Sequence, residues 1–139
     1  MRILGIDYGD RRVGLAVSDP LHLTAQPLAT HMLSGDASDR KFFRDLVLSQ
    51  DIELVVIGLP MRMDGSRGSR AEKTQEFGRW LEKAVDRPVV FWDERLTTRQ
   101  AQGLMKDQKV RIKDKKDVEN QISATIILAG YLESRRTDA

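Results

Sequence analysis

Acidic side chains occur at three points in the sequence where a metal site could form. Asp7 ends a short apolar run, Asp93 and Glu94 end a second one, and Asp117 and Asn120 begin the last helical pattern. A carboxylate that follows a buried strand needs a compensating partner, which for Asp7 could be a metal ion, a phosphate-bound metal or an arginine. Oxygen ligands without His or Cys favour Mg²⁺ or Mn²⁺ over zinc. The pattern therefore predicts a divalent metal site built around Asp7.

Such a site would suit phosphodiester chemistry. Two ions about 3.5–4 Å apart stabilise both the attacking and the leaving oxygen of a phosphoryl displacement. Simpler interpretations stay open for each group. Asp7 could cap the turn at residues 9–10, residues 93–95 could form a surface ion-pair cluster, and Asp117 and Asn120 could be ordinary helix-start residues. Only their joint position at one end of a predicted sheet favours a common site.

The elements that must position these side chains follow from apolar periodicity and turn residues. Strands are predicted at residues 3–7, 13–18, 24–32, 54–59 and 88–92, and helices beginning near residues 38, 69, 97 and 116. This order predicts an α/β fold, a mixed five-stranded sheet with helices on both faces. If the first and last strands are parallel neighbours, Asp7 and Glu94 meet at the carboxyl edge of the sheet.

Size and composition limit the class of protein. The 139 residues are expected to form a single domain, residues 1–139, with 40% hydrophobic and 32% charged residues. The absence of cysteine excludes disulfides and thiolate metal sites. We also expect no membrane span, no secretory signal and a cytoplasmic location. His22 and His31 are interpreted as surface residues rather than ligands or bases.

The positive charge is concentrated, although the net charge is only +2. Solvated loops would explain this, and so would contacts to the phosphates of a nucleic acid, which make binding salt-dependent. The candidate nucleic-acid-binding residues are Arg11, Arg12, Arg62, Arg67, Arg70, Arg95, Lys106, Lys109, Arg111, Lys113, Lys115 and Lys116. The second interpretation gains weight only if these residues flank an acidic site.

Six segments, spread over nearly the whole chain, match the pattern of a known family. They read GIDYG at residues 5–9, RVGLAVSD at 12–19, VIGLP at 56–60, MDGS at 63–66, WDERLTT at 92–98 and SATIIL at 123–128. In this order they resemble the YqgF/RuvX family of RNase H-like proteins. The combination is specific, although no single segment is.

The resemblance implies a ribonuclease H-like fold and a Mg²⁺- or Mn²⁺-dependent endonuclease, in which water attacks the phosphodiester and leaves a 3′-hydroxyl. Family members have been assigned to maturation of the precursor of 16S ribosomal RNA and to Holliday junction resolution. The resemblance also implies that Asp7 and Glu94 are catalytic metal ligands, with Asp93 as a further metal ligand. The third carboxylate of the family falls on Asn120 in this chain.

Asn120 departs from the family pattern. An amide coordinates through its carbonyl oxygen but brings no charge, so weaker metal binding and reduced activity are expected. The residue could be a natural variant or an engineered Asp→Asn change. It also keeps open a second class, a non-catalytic nucleic-acid or ribosome-associated binding protein. A nucleotide-binding domain of the actin and sugar-kinase type is a third. The oligomeric state stays open, with a homodimer required if a four-way junction is cut symmetrically.

Overall fold

The structure, a computed structural model, describes residues 1–61, 68–96 and 115–137, with the backbone alone for residues 115–117 and 137. Its elements are β1 (Arg2–Tyr8), β2 (Arg12–Ser18), β3 (Ala25–Met32), α1 (Asp36–Ser49), β4 (Ile52–Leu59), α2 (Ser69–Val85), β5 (Val89–Asp93), a short 3₁₀ helix (Glu94–Leu96) and α3 (Lys115–Thr137). The predicted helix near residues 97–106 lies outside the described residues. No helix in the described ranges combines the length and apolar character needed to cross a bilayer.

The five strands form one mixed sheet in the order β3-β2-β1-β4-β5. Strands β1, β2 and β3 pair antiparallel, joined by short turns, whereas β1, β4 and β5 are parallel and need the crossovers that α1 and α2 supply. The predicted fold class is therefore confirmed. The expectation of a single domain stays a prediction.

One predicted neighbour relation is wrong. Strands β1 and β5 are not adjacent, because β4 lies between them and pairs with both. The physical reason is the continuous apolar sequence of β4, whose last five residues are all buried. A strand without a polar face is most stable in the interior of the sheet, where helices cover both faces.

Each face of the sheet has its own hydrophobic core. On one face, α1 and α2 contribute Phe43 and Phe77 to a cluster that includes Leu4 and Ile6 of β1. On the other face, α3 contributes Leu128 to a cluster with residues such as Ile3, Ala16 and Val56. Because side chains alternate along a strand, Ile3, Gly5 and Asp7 face α3 while Leu4 and Ile6 face α1 and α2.

The start of α1 differs from its prediction. The helix begins at Asp36, two residues before the predicted start near residue 38, where the residue types of Ser38 and Asp39 favour a helix cap. Asp39 instead accepts hydrogen bonds from the backbone N–H groups of Ser34 (3.1 Å) and Gly35 (3.2 Å) in front of the helix. An acid in the first turn that reaches back in this way plays the part of the acidic residue of a capping box.

His31 is correspondingly not a surface residue. Its side chain is 14% exposed, its Nε2 lies 2.9 Å from Asp39 Oδ1, and its ring stacks on Phe42 with centroids 3.8 Å apart. Burial alone would raise the pKa of Asp39, but the contacts with His31 and two backbone N–H groups outweigh it and lower the pKa below its usual value near 3.8. Asp39 thus ties β3 to the start of α1 as an anion.

We expect Asp39→Asn to lower the free energy of unfolding at pH 7 by about 1–3 kcal/mol, because it weakens charge-assisted hydrogen bonds at a buried site. The pKa of Asp39 is lower in the folded state than in the unfolded state, so its stabilisation is present above pH ~4 and is lost as the pH falls further. Urea unfolding at pH 7 and at pH 3 measures both effects.

The control for this experiment is Asp45→Asn, which removes an exposed i,i+4 pair with Lys41. Its effect should stay within about 0.5 kcal/mol at either pH. Equal destabilisation by the two substitutions would contradict the role of Asp39.

Candidate metal and nucleic-acid site

Asp7 lies near the carboxyl end of β1 and faces α3. Its partner on β2 is Gly14. On the other side Ile6 pairs with Ile57 of β4, so Gly58 lies beside Asp7. The acid is thus flanked on both neighbouring strands by residues without a side chain, which lets groups from other elements approach its carboxylate.

The glycine on β2 lets α3 approach the sheet closely. A Cβ atom on Gly14 would overlap the backbone carbonyl of Asn120 and would lie 2.9 Å from the Asn120 Cβ. The first turns of α3 therefore rest directly on β2, next to Asp7. This contact brings residue 120 to the site.

The glycine on β4 leaves room for Glu94. A Cβ atom on Gly58 would lie 2.7 Å from Glu94 Oε1 and would overlap the Ile127 side chain. Glu94 follows β5 in the 3₁₀ helix, and its carboxylate extends back over β4 towards Asp7. The structure therefore brings Asp7, Glu94 and Asn120 to one edge of one face, although a whole strand separates β1 from β5.

Both carboxyl groups have raised pKa values. The pKa of Asp7 is raised to about 6, mainly by burial and also by the negative charge of Glu94, while the positive charge of Arg70 opposes both. The pKa of Glu94 is also raised, mainly by burial, with Arg70 lowering it and Asp93 raising it. Within the described ranges, no side chain or backbone group donates a hydrogen bond to either carboxylate. Among the described residues, Arg70 is the cation whose charge lowers the pKa of both carboxyl groups.

This donor set fits a hard divalent cation. Two carboxylates and an amide offer oxygen ligands only, as Mg²⁺ and Mn²⁺ prefer. No group of three His, Cys, Asp or Glu side chains suited to a metal ion occurs in the described part of the chain. The roles of Asp7, Glu94 and Asn120 as ligands stay predictions.

Asp93 lies apart from this pair. Trp92 contacts Gly130 of α3, so strand alternation turns Asp93 towards the opposite face. Its carboxylate accepts hydrogen bonds from Arg95 Nε (3.1 Å), Nη2 (2.7 Å) and the backbone N–H (2.9 Å). The Arg95 side chain is the main reason why the pKa of Asp93 is lowered. Asp93 and Arg95, predicted to bind metal and nucleic acid respectively, are thus engaged with each other.

Arg70, in the first turn of α2, lies closest to the acids among the predicted basic residues that the structure describes. Its guanidinium donates to the Tyr8 carbonyl (3.3 Å) and lies 3.7 Å from Asp10 Oδ2. The side chain is 53% exposed, so one side faces solvent beside the acids. A phosphate approaching Asp7 and Glu94 would meet this cation.

A groove of about 420 Å³ lies on the opposite side of Asp7, at the turn between β1 and β2. It is lined by Gly9, Asp10, Arg11, Arg12, Met32, Glu119 and Asn120. Arg11 is exposed, and Arg12 is half-buried with its Nε donating to Met32 Sδ at 3.3 Å. The groove begins at Asn120, so it continues directly from the acidic site.

The remaining basic candidates cannot be placed. Arg62, Arg67, Lys106, Lys109, Arg111 and Lys113 lie outside the described residues, as does the MDGS segment at 63–66, and Lys115 and Lys116 are described by their backbone alone. Their nucleic-acid contacts stay predictions. The sequence predicts that Gly14 permits close backbone approach, and the structure identifies the approaching group as the Asn120 main chain. Sequence reasoning missed the positioning role of Gly58, for which the only signal was a glycine inside an apolar strand.

The architecture is shared by solved resolvases. Thermus thermophilus RuvC in complex with a Holliday junction substrate superimposes with a TM-score of 0.62 at 15% identity, over 98% of this chain and 96% of that chain. Fowlpox virus resolvase with Holliday junction DNA gives a TM-score of 0.62 at 12% identity, over 97% and 99%. At such identities the likeness defines the fold alone, a RuvC-like RNase H fold.

The sequence comparisons narrow this class to one family. The family described as "RuvX: Holliday junction resolvase" matches residues 1–134. A protein of Halothermothrix orenii named "Putative pre-16S rRNA nuclease" is 43% identical over 95% of this chain and 94% of its own length. One of the same name from Acetivibrio thermocellus is 45% identical over 97% of both. This chain belongs to the RuvX/YqgF family.

The two glycines of the site should respond differently to a methyl group. Gly14→Ala forces the backbone of Asn120 away from β2, so we expect it to lower the free energy of unfolding by roughly 1–3 kcal/mol. Gly58→Ala meets side-chain atoms of Glu94 and Ile127 and no main chain, so its effect should be smaller than that of Gly14→Ala. Urea unfolding of both variants tests the contrast. A Gly14→Ala protein as stable as Gly58→Ala would contradict the close contact of α3.

The raised pKa of Asp7 predicts a pH-dependent stability in the presence of EDTA. A carboxyl whose pKa is about 6 when folded and 3.8 when unfolded favours folding below pH ~4, and this contribution is lost as the pH rises through 6. Asp7→Asn should therefore be more stable than the parent at pH 7.5, by up to about 3 kcal/mol, and similar to it at pH 4.

Asp93→Asn provides the comparison of opposite sign, because the pKa of Asp93 is lowered and its ionised form favours folding. Chemical unfolding at several pH values separates the two. A parent protein as stable as Asp7→Asn at pH 7.5 would show that Asp7 ionises without penalty.

Proposed function

We propose that this protein is a metal-dependent endonuclease that hydrolyses phosphodiester bonds in structured nucleic acid. The single observation that carries the proposal is the pair Asp7 and Glu94, held together on one face with raised pKa values and no hydrogen-bond donor from the described residues. Two anions at such a site favour a bound cation. Membership of a nuclease family supports the same conclusion.

In this proposal Asp7 and Glu94 hold Mg²⁺ or Mn²⁺ through their carboxylates, and Asn120 contributes its amide oxygen. When bound, the ion supplies positive charge that offsets the negative charge developing on the phosphate. Asp93 is assigned a supporting role instead, because its carboxylate is occupied in holding Arg95 at the end of β5. The 3₁₀ helix is thereby fixed, and Glu94 within it.

The nucleic acid is proposed to cross the site from Arg70 to the groove lined by Arg11 and Arg12. Arg70 contacts a phosphate beside the carboxylates, and the two hairpin arginines contact the backbone on the other side. These are charge contacts, so they set affinity and register rather than sequence preference. The basic residues at 62–70 and 106–116 would extend this surface.

The proposed substrate is the precursor of 16S ribosomal RNA or a branched DNA. The first follows the names of the sequence relatives and the second the substrates named for the solved resolvases. Symmetrical cleavage of a four-way junction needs two active sites and hence a homodimer, whereas trimming of ribosomal RNA does not. We further propose that the protein acts in the cytoplasm as one domain.

A second candidate is a nucleic-acid-binding protein with no nuclease activity, and Asn120 is the observation that favours it. An amide in place of a carboxylate removes one of three negative charges around the cation. The same basic surface would then hold the nucleic acid without cutting it. Affinity would be retained and would fall steeply with salt.

The test compares the parent protein with Asn120→Asp on a four-way DNA junction and on a precursor ribosomal RNA, both with Mn²⁺. A third carboxylate should bind the cation more tightly and raise the cleavage rate at least about tenfold, the effect of 1.4 kcal/mol of transition-state stabilisation. Single-turnover cleavage rates on the two substrates also distinguish RNA from DNA as the preferred target.

Asp7→Asn in the Asn120→Asp background is the matched control and should abolish cleavage. Cleavage that survives this control would place the nuclease site elsewhere. Equal rates for the parent and Asn120→Asp would remove position 120 from the ligand set. Salt-dependent binding with no cleavage by any form would favour the second candidate.

A further inference from the structure

A second groove lies at the other end of the same sheet face. It has a volume of about 540 Å³, and its floor is apolar, formed by Ile3, Leu54, Tyr131 and Leu132. The floor residues come from the amino ends of β1 and β4 and from the last turns of α3. We call this the distal groove, because Asp7 lies at the opposite end of β1.

Two leucines stand at the rim of the distal groove. Leu21 is 76% exposed and Leu23 is 54% exposed, in the loop between β2 and β3. Exposed apolar side chains indicate an interaction site when they join other apolar residues in one patch. Together the floor and the rim form one continuous apolar surface.

The loop that exposes the leucines is held in a defined conformation. The Asp19 carboxylate accepts hydrogen bonds from the backbone N–H groups of Leu21 (3.2 Å), Leu23 (2.7 Å) and Thr24 (2.7 Å). His22, between the leucines, adopts a left-handed φ of 59°, a conformation that non-glycine residues rarely take. These hydrogen bonds therefore hold the backbone in the conformation that exposes both leucines.

The rim of the distal groove carries positive charge. Arg135 and Arg136 line it from α3, and neither forms an ion pair with the described residues. Arg136 donates a hydrogen bond to the Leu23 carbonyl. Glu53 is the one carboxylate among the lining residues, with its Oε1 3.1 Å from His22 Nε2, so the described lining carries two arginine charges against one carboxylate.

These features select among the possible occupants. A second copy of this chain would bring the same two arginines against each other across a two-fold axis, which is repulsive. A nucleic-acid backbone would satisfy the arginines but would cover the leucines and the apolar floor with charged phosphates. A protein segment that combines apolar side chains with an acidic residue satisfies both surfaces.

We propose that the distal groove docks a short apolar and acidic segment of a partner protein. Leucine-sized side chains of the segment occupy the floor between Leu54 and Leu132, and its carboxylate pairs with Arg135. Asn120 and Arg135 are 15 residues apart on α3, about 22 Å along the helix axis. The partner therefore docks while the edge with Asp7 and Glu94 remains accessible, and the proposal is independent of nuclease activity.

The test selects phage-displayed random dodecapeptides on the full-length parent protein and measures synthetic consensus peptides by fluorescence anisotropy. The expected consensus contains at least two large apolar residues and one Asp or Glu. Leu21→Asp and Arg135→Glu should each weaken its binding at least tenfold. Leu48→Asp on α1, 71% exposed in the parent, and Arg79→Glu on α2 are the matched controls, exposed residues outside the groove, and should leave affinity unchanged.

Several outcomes would overturn the proposal. One is that the parent protein enriches no peptides beyond those that the Leu21→Asp variant also enriches. The others are a consensus without an acid, and peptide affinity that is equal in the groove variants and the control variants. A concentration-dependent dimer of the parent that Leu21→Asp dissolves would identify a second copy as the occupant. A loss of four-way-junction or ribosomal RNA affinity in Arg135→Glu, measured without metal, would assign the groove to nucleic acid. None of these results depends on cleavage.

Discussion

The burial of two carboxylates at one edge of the sheet is the constraint on which the site end of this molecule depends. Asp7 and Glu94 lie on a partly buried face, where burial is the main cause of the raised pKa of each and the negative charge of Glu94 adds to the shift of Asp7. Folding must hold both carboxylates there although burial disfavours their charged forms. Other charged groups nearby are arranged around the pair. Arg70 lies close enough to reduce its negative potential, and Asp93 is paired with Arg95 and faces away.

Much of this could be predicted from the sequence, because local signals carry it. The positions of the five strands, of α2 and of α3 follow from apolar periodicity, and the expectation that Asp7 and Glu94 share one edge follows from strand ends. The order of the strands did not follow, since nothing local in residues 52–59 says which two strands flank them. The α1 start was misjudged for a related reason: Asp39 bonds backwards to residues outside the helix.

The close contacts of the site are a second kind of information that one sequence lacks. That Gly14 receives the backbone of Asn120 is a relation between residues more than a hundred positions apart. That Gly58 makes space for Glu94 depends on the pairing of β4 with β5. Asp93 faces away from Asp7 and Glu94 because it continues the alternation of side chains along β5. A shift of one residue in that alternation would turn it to the other face of the sheet. Such relations become visible only when the fold is known.

The contact between Gly14 and α3 has a consequence for how this family can change. The sheet touches position 120 chiefly through its main chain, so the helix is anchored whatever polar side chain stands there. An exchange between carboxylate and amide of the same size leaves that anchor intact. Under the proposed ligand role of position 120, one nucleotide substitution would therefore change the charge offered to a cation without changing the packing of α3. Relatives with the same backbone would then differ in how strongly they bind the ion.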